Sequence, residues 1–205
     1  MLYQVLIISF IVSYLGSIPP GTINITTMQM TVLGHHRGAV FFALAASLTE
    51  FIYAGVTVWF QMFLSERPFI TENFQIITAS AMLVLGVVNL LARGDSSKFS
   101  TKRPLKGRNG FRLGFILGIV NPLTVPFWLA MTAYLQSNQW ISLQGYLFWI
   151  YLVGISTGTF ALLLTVKFVG AKFEQVANNH FLVHKLPGII FILLGLYNLA
   201  DWFFK

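Results

Sequence analysis

The sequence predicts an all-α membrane protein of six transmembrane helices, and three observations carry that prediction. Of its 205 residues, 56% are hydrophobic and only 9% are charged, whereas an ordinary soluble chain is about a quarter charged. The mean hydropathy is +0.74. The apolar runs are continuous and reach the roughly 20 residues that cross a bilayer as helix, unlike the alternating segments of about ten residues that a transmembrane barrel requires.

Hydropathy places the spans at 2–33 (interrupted), 39–64, 74–92, 111–135, 146–169 and 186–204. The chain reads as one domain over 1–205, with a first half at 1–92, a basic loop at 93–110 and a second half at 111–205. Residues Met1 to Gln4 carry no basic side chain and no small-residue cleavage motif follows, so the first apolar stretch reads as a retained helix.

Charge sets the orientation. Arg93, Lys98, Lys102, Arg103, Lys106 and Arg108 occupy the third connection, with Arg112 beside it, and short basic loops stay on the cytoplasmic side. With six spans, all of the 13 basic residues except Arg67 and Lys205 share that side. The expected location is the cytoplasmic membrane, multi-pass, with both termini extracytoplasmic. The isoelectric point near 9.9 then reports topology and contact with anionic lipid, not nucleic acid.

The chain has no cysteine, which excludes disulfides, thiolate metal sites and thiol relays. No cofactor is expected. His35 and His36 precede Arg37, and His180 and His184 fall in the last cytoplasmic connection; without cysteine or a local acidic cluster they read as solvated loop residues and not as metal ligands.

The two halves match each other. Leu85-Gly86-Val87-Val88-Asn89-Leu90 in the third span parallels Leu194-Gly195-Leu196-Tyr197-Asn198-Leu199 in the sixth, at an offset of 109. At the same offset Ser47 matches Ser156 and Phe51 matches Phe160, while Gly16, Pro20 and Thr22 match Gly118, Pro122 and Thr124 at 102. Three spans per half is odd, so the halves enter the membrane in opposite senses. Such inverted repeats are characteristic of secondary transporters, whose site lies near the midplane between interrupted helices.

Two interruptions are expected. Pro19-Pro20-Gly21-Thr22 lies within the first span and Asn121-Pro122-Leu123-Thr124 at the equivalent point of the fourth. Proline removes a backbone donor and clashes with the preceding turn, and glycine permits unwinding. Half-helix N-termini so created carry partial positive charge and suit a substrate carboxylate. Pro20, Gly21, Thr22, Asn24, Asn121, Pro122 and Thr124 are therefore the candidate substrate-binding residues, and Thr26, Thr27 and Gln29 add side-chain donors after the first break.

Glu50 stands in the middle of the second span, where a charge costs about 2.5–3.5 kcal/mol on insertion scales. Ala43, Ala46, Ser47, Glu50, Tyr53, Ala54 and Thr57 share its helical face, small or polar throughout, while Phe41, Leu44, Leu48, Phe51, Ile52 and Phe60 lie mostly elsewhere. That face should pack against another helix. No basic residue is available at that depth, which makes Glu50 the candidate proton carrier. Gly154, Thr157, Gly158, Ala161 and Thr165 form a similar stripe in the fifth span, with the Gly-x-x-x-Gly spacing of close helix packing. Ser156, Thr157 and Thr159 are weaker candidates for substrate contact.

With these motifs in order, the chain resembles the LysE/RhtB family of amino-acid exporters over nearly its whole length. The resemblance rests on the six spans, the Pro-Gly break, the turn Gly34-His35-His36-Arg37-Gly38, the acid in the second span, and Gly118-Ile119-Val120-Asn121-Pro122 followed by Phe127. It implies a cytoplasmic-membrane exporter of amino acids or related metabolites driven by the proton gradient. Three positions depart from the family pattern: Thr22 stands where a second proline is usual, Glu50 where aspartate is usual, and Leu123 where lysine is usual.

The expected partners are therefore a small-molecule substrate, protons and membrane lipids, with oligomerisation left open. A metal-ion exporter of the same superfamily would need several intramembrane acids or histidines, and only Glu50 is present. An intramembrane hydrolase would need a nucleophile and a base, and no histidine lies within a span. A non-transporting membrane assembly protein would leave the paired breaks without a purpose.

Overall fold

The computed structural model describes residues 1–18, 21–65, 107–121, 124–177 and 185–203, together with scattered positions between residues 76 and 91. Apart from short turns and the connection at 138–145, these segments are helical. The helices are α1 (Leu2–Gly16), α2 (Thr22–Val32), α3 (His36–Ser65), α4 (Gly107–Ile119), α5 (Thr124–Ser137), α6 (Tyr146–Ala177) and α7 (Leu186–Phe203). Most of the basic third connection, together with His180 and His184, lies outside the described residues.

Burial is inverted relative to a soluble bundle. Along α3, Phe41, Leu44, Leu48, Ile52, Val56, Trp59 and Phe63 form an exposed apolar stripe at three- and four-residue spacing. The opposite face buries Ala43, Ala46, Ser47, Ala54, Thr57 and Gln61. Helix α1 does the same, exposing Tyr3, Ile7, Ile11 and Leu15 while burying Ser9 and Ser13. Water would penalise apolar faces this large, whereas lipid solvates them and drives polar groups inward. Helices α3 and α6 are each long and apolar enough to cross a membrane unbroken over His36–Phe63 and Tyr146–Val169.

Gly154 and Gly158, expected to pack closely, do so, and three glycines of α4 join them. Gly110 and Gly114 of α4 sit directly against the backbone of Gly38 and Phe42 in α3, and Gly118 sits against Thr49. Gly154 and Gly158 of α6 sit in the same way against Leu6, Ser9, Phe10 and Ser13 of α1. In both pairs the numbers rise together, so α3 runs parallel to α4 and α1 parallel to α6. Between α3 and α6 the order reverses: Ser47 meets Ser156 and Gly55 meets Leu152, so these two long helices are antiparallel.

Hydroxyls add to this packing. Ser13 Oγ donates to the Ile155 carbonyl at 2.7 Å and lies 2.8 Å from Thr159 Oγ1. Such interhelical bonds contribute on average about 0.6 kcal/mol each in membrane proteins. Helix α7 packs against the helical positions between residues 76 and 91, where Gly86 meets Ile192 and Gly195 meets Leu83.

Two features differ from expectation. Helix α6 continues to Ala177, eight residues past the expected span end, because Ala171-Lys172-Phe173-Glu174-Gln175 are tolerant of helix and carry no breaker; hydropathy marks the bilayer, not the helix end. Thr157 and Thr165 face outward and bond their own helix at Val153 and Ala161. The packed face of α6 is instead Tyr151, Ile155, Gly158, Thr159, Leu162 and Val166.

Candidate functional site

Both expected interruptions are present. Helix α1 ends at Gly16 and α2 begins at Thr22; α4 ends at Ile119 and α5 begins at Thr124. Pro20 and Pro122 lie outside the described residues, so the breaks are read from their flanks.

Each break exposes carbonyls that the next turn no longer covers, and a side chain reaches one at each. The Asn24 amide donates to the Ser17 carbonyl at 2.7 Å, and the Tyr53 hydroxyl donates to the Ile119 carbonyl. Asn24 is buried and holds the break closed on itself. Thr26 and Thr27 likewise donate to the Thr22 and Ile23 carbonyls within α2. These three groups are thus engaged with the backbone. Gln29 presents a buried Oε1 with no hydrogen-bond partner among the described residues.

The N-terminus of α2 is dressed differently. Gly21 occupies its N-cap in extended backbone, and no side chain caps it. Gly21 and Thr22 are exposed, Asn121 is half-buried and Thr124 is buried.

The start of α5 is where these features meet. Gly16, the last residue of α1, lies under the Phe127 ring. The next residue, Trp128, donates its indole N–H to Glu50 Oε1 at 2.5 Å. Trp128 is only 1% exposed, and its ring is wedged edge-on between Phe127 and Tyr151 at centroid distances of 4.9 and 6.2 Å. The Tyr151 hydroxyl is paired with Thr132 Oγ1 at 2.8 Å. Glu50 itself is half-buried. Its carboxyl is anchored by a rigid neutral donor.

Sequence reasoning singled out Glu50 but not Trp128. The other four tryptophans, Trp59, Trp140, Trp149 and Trp202, are exposed, as expected of rings at membrane interfaces. Trp128 is the exception, and its place one turn after an Asn-Pro break was the available signal. Gln61 and Gln136 were also missed. They meet between α3 and α5, Gln61 buried and Gln136 half-buried, where the Gln61 amide donates to Gln136 Oε1 at 2.6 Å.

An apolar exterior, polar contacts buried between helices and two helices interrupted beside a carboxyl define the chain as a helical membrane protein of transporter type. The family model of the LysE type translocator matches residues 14–201, and the chain belongs to that family. It is accordingly a membrane translocator. Among curated proteins and solved structures no match is found.

Proposed function

We propose that the chain is a proton-coupled secondary exporter of amino acids or related small metabolites, built from two inverted three-helix repeats in the cytoplasmic membrane. The carrying observation is the placement of Glu50 on Trp128 at 2.5 Å, beside the first turn of α5 where the two broken helices approach. Helix directions support the inversion. Helix α1 follows α6, α6 opposes α3, and α3 follows α4, so α1 and α4 run in opposite senses.

In this reading Glu50 takes up and releases the coupling proton. Pro20, Gly21, Thr22, Asn24, Asn121, Pro122 and Thr124 shape the substrate site. The uncapped N-terminus of α2 offers backbone N–H groups to a carboxylate, and Thr124 opens the second half-helix. Asn24 acts through the backbone, fixing the shape of the first break. Among the described residues no group of three or more His, Asp or Glu is placed to hold a metal ion.

The test is transport in proteoliposomes with a panel of candidate amino acids, comparing gradient-driven uptake with counterflow. Glu50→Gln should lose most gradient-driven transport while retaining exchange. Full gradient-driven transport in that variant would overturn the coupling role, and absence of counterflow for every amino acid would overturn the substrate class.

A further inference from the structure

A polar column rises from Glu50 along the seam between α3 and α5. On α3, Thr57 lies two turns beyond Glu50, about 10 Å along the axis at 1.5 Å per residue, and Gln61 lies one turn further. On α5, Thr132 and Gln136 follow Trp128 at four-residue intervals. The two helices run parallel here, since Glu50 pairs with Trp128 and Gln61 with Gln136.

These groups are deeply placed. Thr57 and Gln61 are each 3% exposed, and Thr132 and Tyr151 are 0% exposed. Two of their polar atoms have no hydrogen-bond partner among the described residues: Thr57 Oγ1 and Gln61 Oε1. This is not how α3 treats its other hydroxyls. Ser47 and Thr49 donate to carbonyls three residues back, at 2.8 and 2.7 Å, the inexpensive solution for such a side chain in a helix. A buried polar atom left without any partner costs about 1–3 kcal/mol, and water is the usual remedy where the site is polar.

The column ends in a cavity. A chamber of about 590 Å³ is lined by Gln4, Met62, Gln136, Gln139, Trp140 and Gln144, among others. Gln136 therefore belongs to both the chamber wall and the column. The lining is rich in neutral amides.

We infer that a hydrated file runs from this chamber past Gln136, Gln61 and Thr57 to Glu50, and that it is the route by which protons reach the carboxyl from the chamber side. Its role rests on the coupling reading of Glu50; its existence does not. Gln61 and Thr57 supply the unpaired oxygens that orient the water, and the Thr132–Tyr151 pair lines the intervening turn. Neutral amides at the mouth hydrate the file without trapping a cation. With both termini extracytoplasmic, as the basic loops require, the chamber opens outward, so protons enter from the side that an export antiport needs.

The absence of native cysteine allows a test with single cysteines in the full-length chain. Gln136→Cys, Gln61→Cys and Thr57→Cys would each be reconstituted and exposed to 2-aminoethyl methanethiosulfonate or silver ion, with Val58→Cys as the buried apolar control. Protected thiols are then counted by mass spectrometry after denaturation. The expected rates fall in the order Gln136→Cys, Gln61→Cys, Thr57→Cys, with all three at least tenfold above Val58→Cys. A Thr57→Cys rate equal to that of Val58→Cys, with Gln136→Cys reacting, would show a dry seam and overturn the file. Thr132→Cys reads the same route from α5 if Thr57→Cys does not fold. Labelling requires no transport, so full gradient-driven transport in Glu50→Gln would overturn the coupling reading and leave this pattern intact.

Discussion

The Ser156 hydroxyl donates to the Ser47 carbonyl at 2.9 Å across two residues separated by 109 positions, the same offset at which the third and sixth spans match each other. Equivalent residues touch one another only near an axis that exchanges them, and the glycine contacts obey the same exchange. Gly86 meets Ile192, and Leu83 meets Gly195; Gly195 lies 109 positions after Gly86 and Leu83 lies 109 before Ile192, so exchanging the halves turns one pair into the other. On the inverted-repeat reading proposed above, the axis would lie between α3 and α6.

The glycine pair yields an unequal prediction. A methyl at Gly86 would lie 2.5 Å from Ile192 Cγ1 and 2.9 Å from the Gly188 carbonyl, whereas at Gly195 it would meet the flexible Leu83 side chain at 2.9 Å. Overpacking of this kind typically costs about 1–3 kcal/mol. Both Gly86→Ala and Gly195→Ala should lower the melting temperature in detergent, with Gly86→Ala the more harmful, because backbone cannot rotate away.

The two capped breaks should respond alike. Asn24→Leu orphans the Ser17 carbonyl and Tyr53→Phe orphans the Ile119 carbonyl. The Asn24 bond is part-buried and the Tyr53 bond exposed, and a hydrogen bond of this kind contributes about 0.5–1.5 kcal/mol. Thermal unfolding of each variant should show a loss in this range, and an unshifted midpoint would mean that neither bond supports its break.

Trp128 and Glu50 should be energetically coupled. Trp128→Phe keeps most of the ring packing but removes the indole donor, leaving the carboxyl short of its partner. Contacting residues show coupling of about 0.5–3 kcal/mol in double-mutant cycles. The expected result is a Trp128→Phe, Glu50→Leu double variant whose stability loss is smaller than the sum of the singles. Strict additivity would mean that the bond contributes nothing.

Topology is open to direct measurement. His36→Cys, at the start of α3, and Gln139→Cys, in the turn after α5, should be labelled by a membrane-impermeant maleimide from opposite sides. From the distribution of basic residues, Gln139→Cys is expected to react in intact cells and His36→Cys only in inverted vesicles. The reverse pattern would turn the chamber toward the cytoplasm and with it the direction of proton entry.

Much of the architecture was legible from residues alone, for definite reasons. A bilayer demands long apolar helices, so hydropathy located α3 and α6 to within a few residues at their starts. Proline and glycine act locally, so the breaks could be read from Pro19-Pro20-Gly21 and Asn121-Pro122. Glu50 stood out because a lone acid in an apolar span is costly wherever it points. The small face of α3 followed from its spacing, and the exposed stripe from Phe41 to Phe63 is its complement.

Other features were settled only when helices distant in sequence came together. Whether the Asn24 amide faces a ligand or the Ser17 carbonyl depends on how the chain turns through the first break, which composition does not encode. That Trp128 lies on Glu50, 78 positions away, follows from the parallel approach of α3 and α5. The unpaired oxygens of Thr57 and Gln61 likewise acquire meaning only from the facing Gln136 and the chamber behind it. Sequence by itself determined what each segment must be in lipid, because solvation and backbone satisfaction are local demands. Tertiary structure decided which polar groups meet, because a hydrogen bond in a membrane interior is formed between helices and belongs to neither alone.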